Sequence, residues 1–183
     1  PPVEGRIVED LNEEVTNGVR ASLLVEASDR LSFTFSHTWQ DSTLDGEPMT
    51  DPNVGSYEQS RVISGEKLGD EFNLTNLLID YEFDGESLIS STGFMDRTTV
   101  NNRDITTAGS SLIESFFGLP GIRYPWRLAD QEDYELFVQE VRLSSTGDGA
   151  LQWLVGAFYS DLSRNMVQAG TDESGAPFFA NPF

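Results

Sequence analysis

Val19-Arg20-Ala21-Ser22-Leu23-Leu24-Val25-Glu26-Ala27, then Ser28-Asp29-Arg30, then Leu31-Ser32-Phe33-Thr34-Phe35-Ser36-His37-Thr38-Trp39-Gln40 is the stretch that decides the fold. Val19, Ala21, Leu23 and Val25 fall on one side of an extended chain, with Arg20, Ser22 and Glu26 opposite. After the polar turn, Leu31, Phe33, Phe35 and Trp39 alternate with Ser32, Thr34, Ser36, Thr38 and Gln40. Alternation with a period of two is the signature of a strand with unlike faces, and a short polar turn between two such runs makes a hairpin.

The design recurs twice. Leu77–Phe83 and Leu88–Arg97 flank Asp84-Gly85-Glu86, and Tyr134–Ser144 and Leu151–Ser160 flank Thr146-Gly147-Asp148-Gly149. The spacing predicts an all-β antiparallel meander of about six strands in three hairpins, forming one partial domain over residues 1–183. Long polar loops are expected at about 41–71, 98–132 and 165–183. Short turns at one end and long loops at the other are the asymmetry of a large transmembrane β-barrel. Strands of about ten residues also suit a tilted crossing of the hydrocarbon layer. On this reading Leu23, Val25, Phe33, Phe35, Trp39, Ile79, Tyr81, Trp153, Val155 and Tyr159 face lipid, with Trp153 and Tyr159 near opposite strand ends as girdle aromatics. The facing of 87–97 stays open, since Leu88 and Phe94 share one side and Ile89 and Met95 the other.

Composition narrows the function. There is no cysteine, hence no thiolate metal site or Cys nucleophile, and the single His37 leaves little room for His chemistry or zinc. The chain carries 31 acidic and 11 basic residues, net −20. Nucleic-acid binding needs a basic footprint, which is absent. The acidity reads as a solvated surface, or as loops that divalent cations bridge to lipopolysaccharide. No apolar run approaches a membrane helix, although strands escape that test.

Chemical motifs are sparse. Acidic pairs such as Glu13-Glu14, Asp70-Glu71, Glu132-Asp133 and Asp172-Glu173 sit at arbitrary spacing, so no catalytic residue is expected, and neither is a cofactor or resident metal. Asp41-Ser42-Thr43-Leu44-Asp45-Gly46 faintly resembles a calcium loop but lacks the later ligands. Leu112–Phe117 before Gly118-Leu119-Pro120-Gly121 reads as a short helix or as an apolar patch folded back. For ligand capture the candidates are Phe116, Phe117, Arg123, Tyr124, Trp126 and Arg127, since aromatics and arginine hold planar or anionic chelates by stacking and charge. Equally, Tyr124-Pro125-Trp126 packs the loop on itself. On the polar strand faces, Arg20, Glu26, Asp80, Glu82, Glu140 and Arg142 are expected to form charge ladders.

Phe137-Val138-Gln139-Glu140-Val141-Arg142-Leu143-Ser144-Ser145 followed by Leu151-Gln152-Trp153-Leu154-Val155-Gly156-Ala157-Phe158-Tyr159 resembles paired strands of TonB-dependent outer-membrane receptors. Leu88–Arg97, with its Ser-Thr-Gly-Phe core, and the approach Asn12–Ser22 are similar to further strands of that family. The resemblance implies a 22-stranded barrel in the bacterial outer membrane. It also implies a plug domain inside it, energy delivered through the TonB complex, and uptake of a small molecule: a ferric siderophore, cobalamin, haem or glycan. No plug or TonB box is evident in the sequence, so a middle portion of the barrel is the expected coverage. Lipid, lipopolysaccharide, plug and TonB complex are the partners implied. The alternative is a soluble acidic β-sandwich or barrel that binds a ligand; a secreted carbohydrate-active enzyme ranks below both.

Overall fold

A computed structural model describes residues 7–50, 54–119, 121 and 125–172, together with the backbone of 177–182. The chain is all-β apart from one helix. The six long strands are β1 (Glu14–Ser28), β2 (Leu31–Asp45), β3 (Lys67–Glu82), β4 (Glu86–Asp104), β5 (Arg127–Ser145) and β6 (Leu154–Thr171). The helix α1 (Thr106–Phe117) lies between β4 and β5, and a short β7 (Pro177–Pro182) follows β6. All strands join one open antiparallel sheet in sequence order.

The three tight turns are where the alternation put them. Asp29-Arg30 link β1 to β2, with Ser28 Oγ accepting from Arg30 N at 3.2 Å. At the second turn Gly85 has φ 109°, a left-handed backbone that a side chain would strain. The third turn is longer than the alternation suggested. Leu151–Trp153 precede β6, and Trp153 is tied to Ser145 by its N–H and its carbonyl. Neighbouring turns are stitched together: Arg30 Nη2 lies 2.7 Å from Asp84 Oδ1, and Thr146 N donates to Gly85 O at 2.8 Å.

At the opposite end the strands run further than the loop expectation of 41–71, 98–132 and 165–183. β2 continues to Asp45, β4 to Asp104 and β6 to Thr171, while β5 begins at Arg127. The residues beyond the apolar halves mix polar side chains on both faces with only isolated apolar ones such as Leu44, Leu68 and Val100, so they carry strand pairing without alternation. Asp41–Asp45 is therefore strand, paired with both neighbours, and its side chains alternate between faces instead of converging as calcium ligands.

Register settles the facing of every strand, since direct partners share a face. Leu23 pairs Phe35, Val25 pairs Phe33, Phe33 pairs Ile79, and Leu31 pairs Tyr81. Tyr81 continues through Leu88 and Leu143 to Val155. Leu77 continues through Thr92 and Gln139 to Tyr159. Leu88 and Phe94 therefore lie with Leu31 and Phe35, which decides the strand left open by sequence. This face is convex: on β4 and β5, Phe94, Asp96, Glu135 and Phe137 are exposed, whereas Met95, Arg97, Leu136 and Val138 opposite them are half-buried.

No core of the usual kind exists among the described residues. Ile63 is the one buried hydrophobic side chain. The chain exposes 13001 Å², against about 8,800 Å² for a folded monomer of this length. No second sheet covers either face of the first. Phe35, Leu23, Val155 and Tyr159 stand on the convex side at 46%, 61%, 58% and 57% exposure. Tyr81 and Phe83 pack edge to face at the turn end, with ring centroids 4.5 Å apart. Tyr159 lies mid-strand against Phe137, ring centroids 6.2 Å apart. Its expected place at a strand end is corrected, because β6 runs on to Thr171.

Candidate functional site

The concave face changes character along its length. Near the short turns it carries Ser, Thr, Asn and scattered charges, interrupted by the exposed Leu24, Leu78, Ile89, Leu154 and Phe158. The charge ladder expected there is not built among the described residues. Asp80 and Arg142 are separated across the sheet by Ile89 on β4, and Arg142 instead pairs with Glu140 of its own strand at 2.6 Å. Next comes an apolar row, Leu74, Met95, Leu136 and Leu162 on four successive strands.

Beyond that row, at and past the ends of the expected strands, three arginines each meet a carboxylate. Arg97 grips Asp70 with both Nε (2.8 Å) and Nη2 (2.7 Å). Arg164 bonds Glu132 through Nη2 at 2.7 Å and Nε at 3.1 Å, and its guanidinium lies 5.5 Å from the centre of the Tyr134 ring. Arg103 Nη2 reaches Asp130 Oδ2 at 2.9 Å, while Gln168 Nε2 occupies Asp130 Oδ1 at 2.7 Å. Asp70, Arg97, Arg103, Asp130, Glu132 and Gln168 line one recess of about 620 Å³, and Arg164 and Tyr134 hold Glu132 at its margin. Cross-strand spacing of about 5 Å lets each pair close without bending the sheet.

The electrostatics follow from the pairing. Hydrogen bonds from the Tyr134 hydroxyl and then from Arg164 hold the Glu132 carboxyl below its ordinary range, and Glu132 in turn pushes the Tyr134 phenol up. Asp130 is buried yet doubly satisfied, the condition under which a carboxylate is tolerated away from water. Two buried atoms of β4 in the same recess, Asn101 Oδ1 and Arg103 Nε, have no hydrogen-bond partner.

A second cluster ties the loops together. Asp104, the last residue of β4, accepts from Val62 N (2.6 Å), Ile63 N (3.0 Å) and Thr106 N (2.8 Å). Glu66 accepts from Asp104 N at 2.7 Å and from Arg61 Nε at 2.8 Å. Around this junction α1 is closed by Gly118 at φ 62°, which makes the Leu112–Phe117 reading a helix, starting earlier at Thr106.

The described candidates for ligand capture, Phe116, Phe117, Trp126 and Arg127, are not gathered at one place. Phe116 and Phe117 project from the end of α1, 77% and 73% exposed. Trp126 lies under the helix against Gly109, its backbone N–H donating to Thr106 Oγ1 at 3.1 Å. Arg127 Nη2 donates to Ser64 O at 2.8 Å and braces the loop junction. Arg123 and Tyr124 lie outside the described residues. Packing of the loop on itself thus holds for Trp126 and Arg127. A β-carbon at position 109 would overlap the Trp126 ring. Gly109→Ala gains up to about 1 kcal/mol of helix propensity but is expected to lose more through the clash, about 1–3 kcal/mol. Faster amide exchange across Thr106–Phe117 is the measurement; unchanged protection would refute the contact.

The recess residues were missed because the signal is weak. Asp70, Arg97, Asn101, Arg103, Asp130, Glu132, Arg164 and Gln168 are polar residues at even offsets along their strands, but their neighbours are polar too. Opposite them the convex face carries Asp41, Glu71, Asp96, Asp133, Glu135 and Asp161, with Lys67 and Arg127 as its basic residues nearer the loop end. Trp39 sits at that boundary, its indole Nε1 donating to Glu71 at 3.1 Å. No helix among the described residues is long and apolar enough to cross a membrane. No family model, curated protein or solved structure matches the chain.

Proposed function

We propose that the chain is a wall segment of an outer-membrane transport barrel, of the kind that TonB-dependent receptors build around a plug. One observation carries this reading: a single-layer sheet whose convex side presents an apolar band that nothing covers. From Leu31 to Trp39 the band measures about 27 Å along the strand at about 3.4 Å per residue. Tilted by about 40°, it stands about 21 Å tall, close to the outward apolar belt of such barrels. Water is a poor neighbour for that surface, and lipid is the solvent that matches it. The acidic residues above Trp39 then stand at headgroup level and beyond, where divalent cations bridge carboxylates to lipopolysaccharide.

The short turns face the periplasm in this reading, and the loop junction with α1 faces outside. The free edge of β1 calls for a further strand, since unpaired backbone groups are not tolerated in hydrocarbon. The concave recess lies on the lumen side, towards the outside, where an incoming small molecule arrives. Transport belongs to the closed barrel with its plug and its TonB partner.

The test is fractionation of the full-length protein from its native host. Recovery in the outer membrane, with faster gel migration before boiling than after, is the expected result. Recovery as a monomer in detergent-free buffer would overturn the reading.

A further inference from the structure

We infer that the concave recess takes a short apolar peptide with both termini free, its ammonium on Glu132 and its carboxylate on Arg97; this rests on the transport reading above. Charges alternate across the wall: Asp70 on β3, Arg97 on β4, Glu132 on β5 and Arg164 on β6. Each pair is closed on itself, so a simple anion or cation meets no uncompensated charge. The pairs still leave reachable hydrogen-bonding groups. A guanidinium has more N–H donors than Arg97 spends on Asp70, which takes Nε and Nη2. Among the described residues Arg97 Nη1 has no partner, and the side chain is 41% exposed. Glu132 receives Tyr134 and both Arg164 bonds on Oε2. Its Oε1 is left open in a side chain that is 19% exposed.

Arg97 lies opposite Tyr134, so Glu132, two residues back, is its diagonal neighbour. Such neighbours are about 7–8 Å apart. The termini of an extended dipeptide or tripeptide are about 7–10 Å apart, at about 3.5 Å per residue. A ligand of this kind adds to both ion pairs without opening either. Being neutral overall, it is not repelled by a chain of net charge −20. An anionic chelate would have to compete with Asp70 for Arg97. The peptide's side chains have a wall to meet. Phe72 and Tyr134 flank Arg97 across the strands, and the next row towards the turns is Leu74, Met95, Leu136 and Leu162. A few placed polar groups beside an apolar surface favour apolar side chains between the charged ends.

Full-length protein in outer-membrane vesicles is titrated with trileucine, N-acetyl-trileucine, trileucine amide and triglycine. Saturable binding of trileucine is expected, with the other three about tenfold weaker or more. Glu132→Gln keeps an oxygen for Tyr134 and Arg164 and removes the charge. It is expected to weaken trileucine about tenfold and to leave the N-acetyl peptide unchanged. Arg97→Gln removes the guanidinium. It is expected to weaken trileucine by a similar factor and to leave the amide unchanged.

A loss shared equally by free and blocked peptides in both variants means that the two residues only hold the wall, and the inference falls. Unchanged affinity in both variants has the same consequence. Wild-type protein that ignores trileucine, or that binds blocked peptides as well as the free one, overturns the ligand class and leaves transport standing. Failure of the wild-type protein to reach the outer membrane counts against the transport reading itself.

Discussion

Phe35→Arg is expected to destabilise the protein by about 2–4 kcal/mol if the proposed barrel reading holds, the cost of a cation at the middle of a lipid-facing belt. Phe35 is midway between Leu31 and Trp39, and its neighbours across the sheet are Leu23 and Leu77. Ser36→Arg, one residue on, points into the concave side beside Ser22 and Asn76 and is expected to cost under about 1 kcal/mol. Urea unfolding of full-length protein in lipid vesicles measures both. The contrast matters more than either value, because a strand whose faces were reversed would show the opposite order. Equal costs at the two positions would mean that neither face meets lipid.

Asp104→Ala is expected to release the loop between β2 and β3 from the base of α1. The carboxylate serves the N–H groups of Val62, Ile63 and Thr106, and each lost bond costs about 1 kcal/mol, so about 3 kcal/mol of local stability goes. Asp104→Asn is expected to do little better, since one new amide N–H group would point at existing donors. Amide exchange at Val62, Ile63 and Thr106 reads the loss directly. Protection that survives in both variants would show that Glu66 and Arg127 hold the junction unaided.

The same junction is pH-dependent. Burial disfavours the Asp104 charge, but hydrogen bonds from the Thr106 side chain and from the Ile63, Thr106 and Val62 backbone outweigh it. The carboxyl therefore titrates below its usual 3.8. A lowered folded value means that the stabilisation is complete above the ordinary carboxylate range and is lost as pH falls through the lowered one. Loop protection is expected to be flat from neutral pH down to about 5 and to fall only in strong acid. Loss between pH 7 and 5 would point to a different group.

The turn-proximal halves were legible because one face there is apolar and the other is not. Val25, Phe33 and Ile79 against Glu26, Ser32 and Asp80 leave no other pairing that keeps like with like. Gly85 marked its own turn by the backbone it must adopt. The loop-proximal halves were not legible, because Asp41-Ser42-Thr43 or Thr98–Asn102 look the same whether extended or coiled. Only ladder hydrogen bonds to neighbours distant in sequence make them strands. The recess depends on those ladders: Arg97 meets Asp70 across β3 and β4, and Arg164 meets Glu132 across β5 and β6. Trp126 stayed open for a related reason, since an aromatic in a polar loop serves a ligand or a local packing site equally well until Gly109 is seen beneath it.

By itself the sequence determined the all-β class, the three hairpins and the facing of every expected strand but 87–97, because period-two patterning is a local property of the extended chain. Tertiary structure alone decided the reach of the strands, the curvature that makes one face concave and the pairing of each arginine with its carboxylate. Those depend on register between strands, and register is set by every pair in the ladder at once.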